Sequence, residues 1–443
     1  MISSTAKRKD DMDESKSLTT PIVSPPWLLF GERQRWGFLL ILLLVTTSNY
    51  FDFNILSVSL ESIKHEFRVS DSMLGLLGGF SFALLYAVSA LPIARWADTG
   101  NRRTVIAFAI TVWSVMTVIC GLAQSFWQLA LARVGVGAAE PGAMPPALSL
   151  LADYFPPNRR ATAISVLSAG GAAGFFFGVG VGGYIAATYG WRRAFIAAGI
   201  PGLALAVIVR FVLAEPRFRV GFPGALCRAE DVRSTLLTLV QKKSFLFALA
   251  SLSLYSVFSF AATIFLPTFM TRSLHAALAQ ASVTWGLGFS TATLVGSIAG
   301  GWSTDYLGKK TVRWYSWWPA ITCTLGAPIF LLSLACNQAK TFVLISCAAQ
   351  AILSAGIPAA FTVVQAVCGS RRRATAMAAV HLSFNIFGGG FGPLLVGVLS
   401  DALAPQLGIE SLRYSLMAMI AFLMPAAATF YLSGRSILKE QEA

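Results

Sequence analysis

The sequence is poor in charge and lacks clustered metal-binding side chains. Only 12% of its 443 residues are charged, about half the share found in ordinary soluble domains. The six cysteines form no CxxC pair and the three histidines are far apart, which predicts neither a zinc site nor a disulfide framework. No Ser/His/Asp set or phosphate loop occurs in a supporting context. We therefore expect no metal, no cofactor and no enzymatic activity.

Hydrophobic stretches dominate the chain instead. Hydrophobic residues make up 56% of it. Stretches of roughly 20 apolar residues, the length that crosses a hydrocarbon core of about 30 Å, recur almost throughout. This pattern predicts an all-α polytopic membrane protein. Its twelve transmembrane helices, numbered below as spans 1 to 12, are expected at 36–60, 72–97, 104–123, 126–152, 160–187, 191–214, 244–270, 277–304, 312–335, 341–369, 374–403 and 411–434.

The net charge of +14 reflects basic residues that lie between the spans rather than on one face. The connections after even-numbered spans hold more than twice as many Lys and Arg residues as those after odd-numbered spans. Because these residues favour the cytoplasmic side, both termini are predicted to be cytoplasmic, in the cell (inner) membrane. Membrane lipid is the expected partner and nucleic acid is not; the oligomeric state is left open.

Polar segments divide the chain into five parts. Residues 1–35 form a polar tail without the apolar core of a signal peptide. Six-helix bundles are expected at 36–214 and 244–434, and a second short tail at 435–443. The basic connection 215–243 is expected to lie on the membrane surface, where anionic headgroups attract Lys and Arg.

Two short motifs recur in the two bundles. The sequence DTGNRR at 98–103 matches DYLGKK at 305–310, and RRATA at 159–163 recurs at 372–376. Both pairs fall at the predicted cytoplasmic ends of equivalent spans. The chain is therefore interpreted as a parallel duplication that gives two pseudo-symmetric six-helix bundles.

The repeated loop also carries a family resemblance. The pattern Gly301-x-x-x-Asp305-x-x-Gly308-Lys309-Lys310 resembles the loop signature of the major facilitator superfamily, with a degenerate partner at 94–103. The resemblance covers essentially all twelve spans and implies transport by alternating access. Charged residues at the cytoplasmic span ends are then expected to act as a conformational switch: Asp98, Arg102, Arg103, Asp153, Asp305, Lys309 and Lys310.

Further motifs are similar to the Spinster branch of lipid transporters. They are Asn49-Tyr50-Phe51-Asp52 in span 1, Asn101 in the first loop, and Arg133-x-Gly135-x-Gly137-x-x-Glu140 in span 4. The branch usually follows its span 1 aspartate with Arg, and this chain has Phe53 at that position.

Three charged residues stand out because they lie away from the ends of the predicted spans: Asp52, Arg133 and Glu140. A charge at the bilayer centre costs at least about 2.5–3.5 kcal/mol, so each is interpreted as functional. Asp52 and Arg133 are predicted at the same depth, which allows an ion pair, and Glu140 shares a helical face with Arg133 about 10 Å away along the axis. Asp52 and Glu140 are expected to take up a proton in one access state and to release it in the other, which would couple protons to transport. Arg133 is expected to modulate these two titrating sites. The alternative is a static buried ion network.

The spans of the second bundle have no charged residue in their interiors apart from His381. A cavity with one ionic wall and one apolar or aromatic wall suits an amphiphile. The expected substrate-binding residues are Asn49, Tyr50, Asn54, Tyr255, Phe258, His381 and Asn385. The predicted substrate is a lysophospholipid or sphingoid lipid. A small organic anion, metabolite or drug is the alternative substrate, and a non-transporting receptor is the alternative function.

Spans 5 and 11 each carry a ladder of glycines, which are Gly174, Gly178, Gly182 and Gly183 in the first and Gly388, Gly392 and Gly397 in the second. Small residues at this spacing let helices approach closely, which predicts a packed seam between the two halves. The pattern also resembles an element of antiporters in the superfamily and favours antiport.

Overall fold

The architecture was taken from a computed structural model that describes residues 25–216 and 232–440. Within these ranges the chain is helical and contains no strand. Nine stretches of it are long and apolar enough to cross a membrane, and spans 4 and 8, which are not among them, are helical as well. The prediction of an all-α polytopic fold is confirmed. Most of the predicted linker, and residues 1–24 of the N-terminal tail, lie outside the described residues.

The first half contains spans 1 to 6, joined by short turns. Asn101 caps the start of span 3 by accepting a hydrogen bond from the Thr104 amide at 3.1 Å, and Ser125 caps span 4 in the same way. The helices of this half are Glu32–Phe67, Asp71–Gly75 with Ser81–Thr99, Arg102–Leu122, Phe126–Ala139 with Met144–Tyr154, Pro157–Phe175 with Gly182–Tyr189, and Trp191–Val212.

The second half follows a short linker helix at Val232–Val240. Its helices are Lys243–Arg272, Leu278–Gly308, Trp314–Leu334, Ala339–Ser383, Gly392–Leu407, and Ser411–Ile420 with Leu423–Glu440. The helix Ala339–Ser383 holds span 10 and the beginning of span 11, so helical structure continues through the predicted connection between these spans. No proline lies between them to stop the helix, and Arg and Ala favour its continuation.

Among the described residues, four spans contain a π-helical or 3-10 segment. Spans 2, 5 and 11 contain π-helical segments at Leu76–Phe80, Phe176–Val181 and Phe384–Phe391, each of which includes glycine. Span 4 contains a 3-10 turn at Glu140–Gly142. Such departures from the α-helix often mark functional regions of membrane helices.

The two halves meet at the end of the bundle opposite the chain termini. We call this the far end. The opposite end, where the helix of span 1 begins and the helix of span 12 ends, is called the tail end. One hydrophobic core continues from the second half into the far end of the first, whereas a separate core fills the tail end of the first half. Packing between the halves is therefore concentrated at the far end.

The glycine ladders form only part of this seam. Gly397 of span 11 lies against span 2, where an added Cβ would come within 2.2 Å of the Asp71 carbonyl oxygen, and Gly183 of span 5 lies against Ser282 of span 8. Gly388 and Gly392 instead pack on span 7 of their own half. The rings of Phe175 and Phe289 also stack across the seam, with centroids 4.3 Å apart.

Candidate functional site

Glu140 lies at the interruption of span 4. The α-helix ends at Ala139 because Pro141 has no N–H to continue the hydrogen-bond ladder, and a new helix begins at Met144. Glu140 is buried, and its Oε1 atom has no hydrogen-bond partner. The Asn49 amide of span 1 lies beside the carboxyl group. Irregular backbone at membrane depth is tolerated where it is buried in protein or lines a cavity.

Asp52 is fully buried in span 1, and neither of its carboxylate oxygens has a hydrogen-bond partner. The indole of Trp113 in span 3 lies close by, but its N–H also has no partner. Arg133 donates from Nη1 to the backbone carbonyl of Asp52, at 3.4 Å, rather than to the carboxylate. The expected proximity of Asp52 and Arg133 is therefore present, but an ion pair between them is not formed.

Arg133 is also fully buried, and its Nε and Nη2 atoms have no hydrogen-bond partner. Its guanidinium carbon lies 5.5 Å from the centre of the Phe82 ring in span 2. Gly137, one turn further along span 4, makes this approach possible, since a Cβ there would lie 2.4 Å from the Phe82 carbonyl oxygen. Buried polar groups are normally hydrogen-bonded. The site thus has unused capacity to bind a proton, water or ligand.

Polar residues of the first half surround this site. Tyr50 and Tyr86 lie close enough to Glu140 to interact with its charge. Tyr50 keeps 41% of its surface exposed although it stands midway along span 1. Asn54 is buried and donates from Nδ2 to the Tyr50 carbonyl at 2.7 Å. Of the predicted contacts in span 1, Tyr50 is the one that offers most surface to a ligand.

An aromatic chain connects the charged site to the second half. The Phe53 ring lies 5.3 Å from Phe82 and 5.8 Å from Phe260 of span 7, and Phe260 lies 5.6 Å from Phe384 of span 11. All of these distances join ring centroids. Phe53, where the Spinster branch usually has Arg, thus contacts both halves. Because the sequence does not show which rings meet, it gave no sign of this role.

The predicted binding residues of the second half divide into two groups. His381 is exposed and stacks on Phe361 at 5.4 Å, and Asn385 donates to the His381 carbonyl at 2.9 Å. Tyr255 and Phe258 are buried in the packed interior, where Phe258 meets Phe330 edge to face. The structure does not bring these two to the space between the halves.

The far end is closed by charged contacts between the halves. Asp71 of span 2 accepts hydrogen bonds from Arg272 of span 7 at 2.7 and 3.0 Å, and from Ser400 of span 11 at 2.6 Å. Lys64 binds the same carboxylate at 2.7 Å, and Glu61 binds Arg272 at 2.7 Å. The helices of four spans, 1, 2, 7 and 11, are held together across both halves by this one carboxylate.

A second carboxylate crosses the seam in the opposite direction. Asp401 of span 11 accepts hydrogen bonds from the backbone amides of Asp71 and Ser72, at 2.9 and 2.8 Å, and so caps the N-terminus of span 2. Sequence reasoning missed this far-end network. The available signal was the placement of charged residues at the predicted outer ends of spans 1, 2, 7 and 11.

At the tail end, the first half contains a buried ion network. The Arg102 guanidinium binds Glu215 at 2.5 Å, Asp153 at 2.6 Å and Ser149 at 2.9 Å. Arg103 donates to the Leu213 carbonyl at 3.2 Å. Spans 3, 4 and 6 are thereby joined within one half. The predicted switch residues Arg102, Arg103 and Asp153 do meet, Glu215 was missed as their partner, and the side chain of Asp98 lies outside the described part.

The second copy of the loop is arranged differently. Asp305, Lys309 and Lys310 are exposed, and in the part of the chain that the structure describes they form no ion pair. Lys310 lies over the Tyr306 ring, 5.1 Å from its centre. Among the described residues, no group of three or more His, Cys, Asp or Glu side chains is arranged to hold a metal ion.

Comparison with known proteins gives consistent matches over the length of the chain. The profile of the Major Facilitator Superfamily matches residues 42–393. An MFS-type efflux pump of Mycolicibacterium smegmatis is 32% identical over 90% of this chain and 92% of its own. A hexuronate transporter of Bacillus subtilis is 27% identical over 62% of this chain and 65% of its own.

Solved structures also match. The crystal structure of a bacterial homologue of the human lysosomal transporter Spinster, in an inward-facing and unoccupied conformation, superposes with a TM-score of 0.83. It is 27% identical, and the match covers 94% of this chain and 100% of that one. The similarity to the Spinster branch is thus found in both sequence and structure.

Proposed function

Because the chain belongs to the Major Facilitator Superfamily and is a multi-pass membrane transporter, we propose that it couples proton movement to the antiport of an amphiphilic lipid, such as a lysophospholipid or a sphingoid lipid. Transport proceeds by alternating access. The observation that carries this proposal is the pair of buried carboxyl groups, Asp52 and Glu140. Both oxygens of Asp52 and the Oε1 atom of Glu140 lack hydrogen-bond partners, as do the Nε and Nη2 atoms of the neighbouring Arg133.

Proton coupling follows from the cost of moving charge through a closed protein. A neutral carboxylic acid crosses an occluded, dehydrated state more cheaply than a carboxylate. Glu140 stands at a helix break beside Tyr50, which has an exposed surface, so water has a path to it in the open state. Arg133 lies near both acids and adjusts their affinity for protons as the halves move.

The direction of access follows from the two ends of the seam. The far end is closed between the halves by Asp71, Arg272 and Asp401. In the described ranges, the ion pairs near the tail end each join elements of a single half, as between Arg102 and Glu215. These contacts favour a state that is open toward the tail end. With the termini in the cytoplasm of a bacterial cell membrane, this is the inward-facing state.

An amphiphile fits the different side chains that the two halves contribute, which are ionic in the first half and aromatic in the second. Arg133 offers unpaired donors on one side, while Phe260 and Phe384 offer half-buried rings on the other. A polar headgroup would contact the ionic wall and an acyl chain the aromatic wall. The resemblance of the span 1 and span 4 motifs to the Spinster branch of lipid transporters favours this substrate class.

A small organic anion is the second candidate. The same unpaired donors of Arg133 suit a carboxylate, and the hexuronate transporter is among the relatives. A drug substrate is supported by the similar efflux pump. These candidates share the proton site and differ only in what occupies the aromatic wall.

Purified protein in liposomes with an imposed proton gradient would test the proposal. We expect the gradient to drive accumulation of a fluorescent lysophosphatidylethanolamine, and an excess of glucuronate not to compete. Competition by glucuronate, or glucuronate flux without lysolipid flux, would establish the organic-anion alternative. Specific lysolipid binding with no flux of either compound would instead indicate a receptor.

The matched pair for this assay is Asp52→Asn and Glu32→Gln. Both remove one carboxylate while keeping the side-chain shape, but Asp52 is buried in the proposed proton site and Glu32 is exposed at the tail end. Loss of gradient-driven transport only in the first variant supports the proton site. Equal transport by parent and Asp52→Asn would exclude Asp52 from coupling.

A further inference from the structure

The outer surface of the second half carries an aromatic groove outside the transport pathway. It lies between the beginning of span 9 and the end of span 12 and has a volume of about 600 Å³. Its lining is almost entirely apolar and includes Trp314, Trp317, Leu325, Met424 and Tyr431. Nothing in the proposed transport mechanism uses these residues.

The groove has a fixed aromatic end. The rings of Trp314 and Trp317 are 5.8 Å apart, and Trp317 stacks on Tyr431 with an interplanar angle of 19°. Trp317 also lies directly against Gly434, where a Cβ would come within 2.6 Å of the indole nitrogen. Trp and Tyr are enriched where membrane helices meet the lipid headgroups, so this end marks the level of the headgroups on the tail side.

The remainder of the groove has the length of one leaflet. Its lining runs along span 9 from Trp314 to Leu325, and the eleven rises between these residues span about 16 Å of helix. That is about half of a 30 Å hydrocarbon core. An extended acyl chain from the tail-side leaflet can therefore lie in the groove along its whole length.

Two basic residues stand at the aromatic end. The Arg313 guanidinium lies 5.8 Å from the centre of the Trp317 ring, and its Nε atom is buried without a hydrogen-bond partner. Arg435 follows Tyr431 by four residues and so shares its helical face. Neither arginine forms an ion pair with any residue that the structure describes. The apolar groove thus ends in positive charge that no nearby acid neutralises.

We propose that this groove binds one anionic phospholipid from the tail-side leaflet. The phosphate lies between Arg313 and Arg435, and one acyl chain follows span 9 past Leu325. A second copy of this chain fits less well, because a symmetric contact here would bring the same unpaired arginines toward each other. The inference is independent of the proposed substrate, since Asp52 and Glu140 take no part in it.

Native mass spectrometry of the detergent-purified full chain tests this proposal. The probes are phosphatidylglycerol and phosphatidylcholine with identical acyl chains. We expect one tightly bound phosphatidylglycerol and much weaker binding of phosphatidylcholine. In the double variant Arg313→Gln/Arg435→Gln, we expect phosphatidylglycerol to bind about thirtyfold more weakly, since each charge near a headgroup contributes about a factor of five.

Two matched controls make the result specific to the groove. Arg210→Gln removes an arginine that also lies over an aromatic ring, that of Phe211, at the tail end of span 6. It should leave binding unchanged. Ala428→Phe fills the groove without altering charge and should weaken phosphatidylglycerol binding, whereas Val295→Phe, on the exposed surface of span 8, should not.

Several results would overturn the proposal. Equal binding of the two lipids would leave only an apolar groove without headgroup recognition. An equal loss in Arg210→Gln would mean that overall surface charge, not this site, attracts the lipid. A dimer mass that Ala428→Phe abolishes would assign the groove to contact between copies. Unchanged binding in both groove variants would place the lipid elsewhere.

Discussion

The two halves share a repeated loop but differ in the burial and the partners of its charged residues. In the first half, Arg102 is buried and bound by Glu215 and Asp153. In the second half, the corresponding Lys309 is exposed. Glu440 stands at the end of span 12, as Glu215 does at the end of span 6, but it accepts a hydrogen bond from the Ser244 backbone amide instead of binding this lysine. A repeated loop sequence thus does not produce repeated chemistry, because the acidic partners come from other spans.

The same contrast extends into the interior. The buried charges Asp52, Arg133 and Glu140 all belong to the first half, whereas Phe260 and Phe384 supply rings from the second. Among the described residues, charge from the second half crosses to the first only at the far end, where Arg272 and Asp401 bind span 2. We infer that the first half carries the proton and the second supplies the apolar wall.

The largest effect is expected from substitutions inside the two halves. Glu140→Gln removes the proposed proton site while keeping the side-chain volume, so gradient-driven lysolipid transport should be lost almost completely. His381→Gln changes a predicted substrate contact of the second half, so it should weaken transport but leave its dependence on the proton gradient. Proteoliposome flux at several pH values measures both, and a retained proton-gradient response in Glu140→Gln would contradict the assignment.

The tail-end loops should differ in their contribution to stability. Arg102→Gln leaves Glu215 buried without its cation and should destabilise the protein by about 3–5 kcal/mol. Lys309→Gln changes an exposed side chain and should stay within about 0.5 kcal/mol. Denaturant unfolding in detergent, with both variants measured against the parent, tests the difference. Similar losses in the two variants would show that the two loops are energetically equivalent.

The far-end contact is expected to have an intermediate effect on conformation. Arg272→Gln breaks the charged bonds from span 7 to Asp71 and Glu61, and a charge-assisted hydrogen bond contributes about 1.5–3 kcal/mol. We expect the far-end-open population to increase by at least about tenfold. Spin-label distances between positions 70 and 406 report this change. Arg413→Gln, which alters a span 12 arginine paired within its own half with Glu410, serves as the control, and an equal shift there would contradict the role of Arg272.

The smallest effect is expected at the aromatic contact between the halves. Phe53→Leu removes ring contacts with Phe82 and Phe260, and an aromatic pair contributes about 0.5–1.5 kcal/mol. Lysolipid affinity should fall by less than about tenfold, with proton dependence retained. Equilibrium binding of the fluorescent lysolipid measures this, and Phe330→Leu, inside the second half, provides the comparison. Loss of proton dependence in Phe53→Leu would show that the ring acts on the ionic site itself.

Much of the site followed from residue type alone. Asp52, Arg133 and Glu140 were recognisable because charged residues are costly inside apolar spans, and the structure places all three in the buried interior of the first half. The break in span 4 was not predicted, although Pro141 and Gly142 after Glu140 were available as a signal for it. The far-end network was not recognised, because charged residues at helix ends look like ordinary polar loop residues until their partners are known.

The amino-acid sequence by itself determined the number of spans, the duplication and the class of fold, since hydrophobic length and repeated motifs are local properties of the chain. Tertiary structure alone decided which side chains meet. It replaced the expected Asp52–Arg133 ion pair with a backbone contact, buried Tyr255 and Phe258, and set Phe53 between the halves. These outcomes depend on how each helix is tilted and rotated, which the packing of neighbouring helices controls.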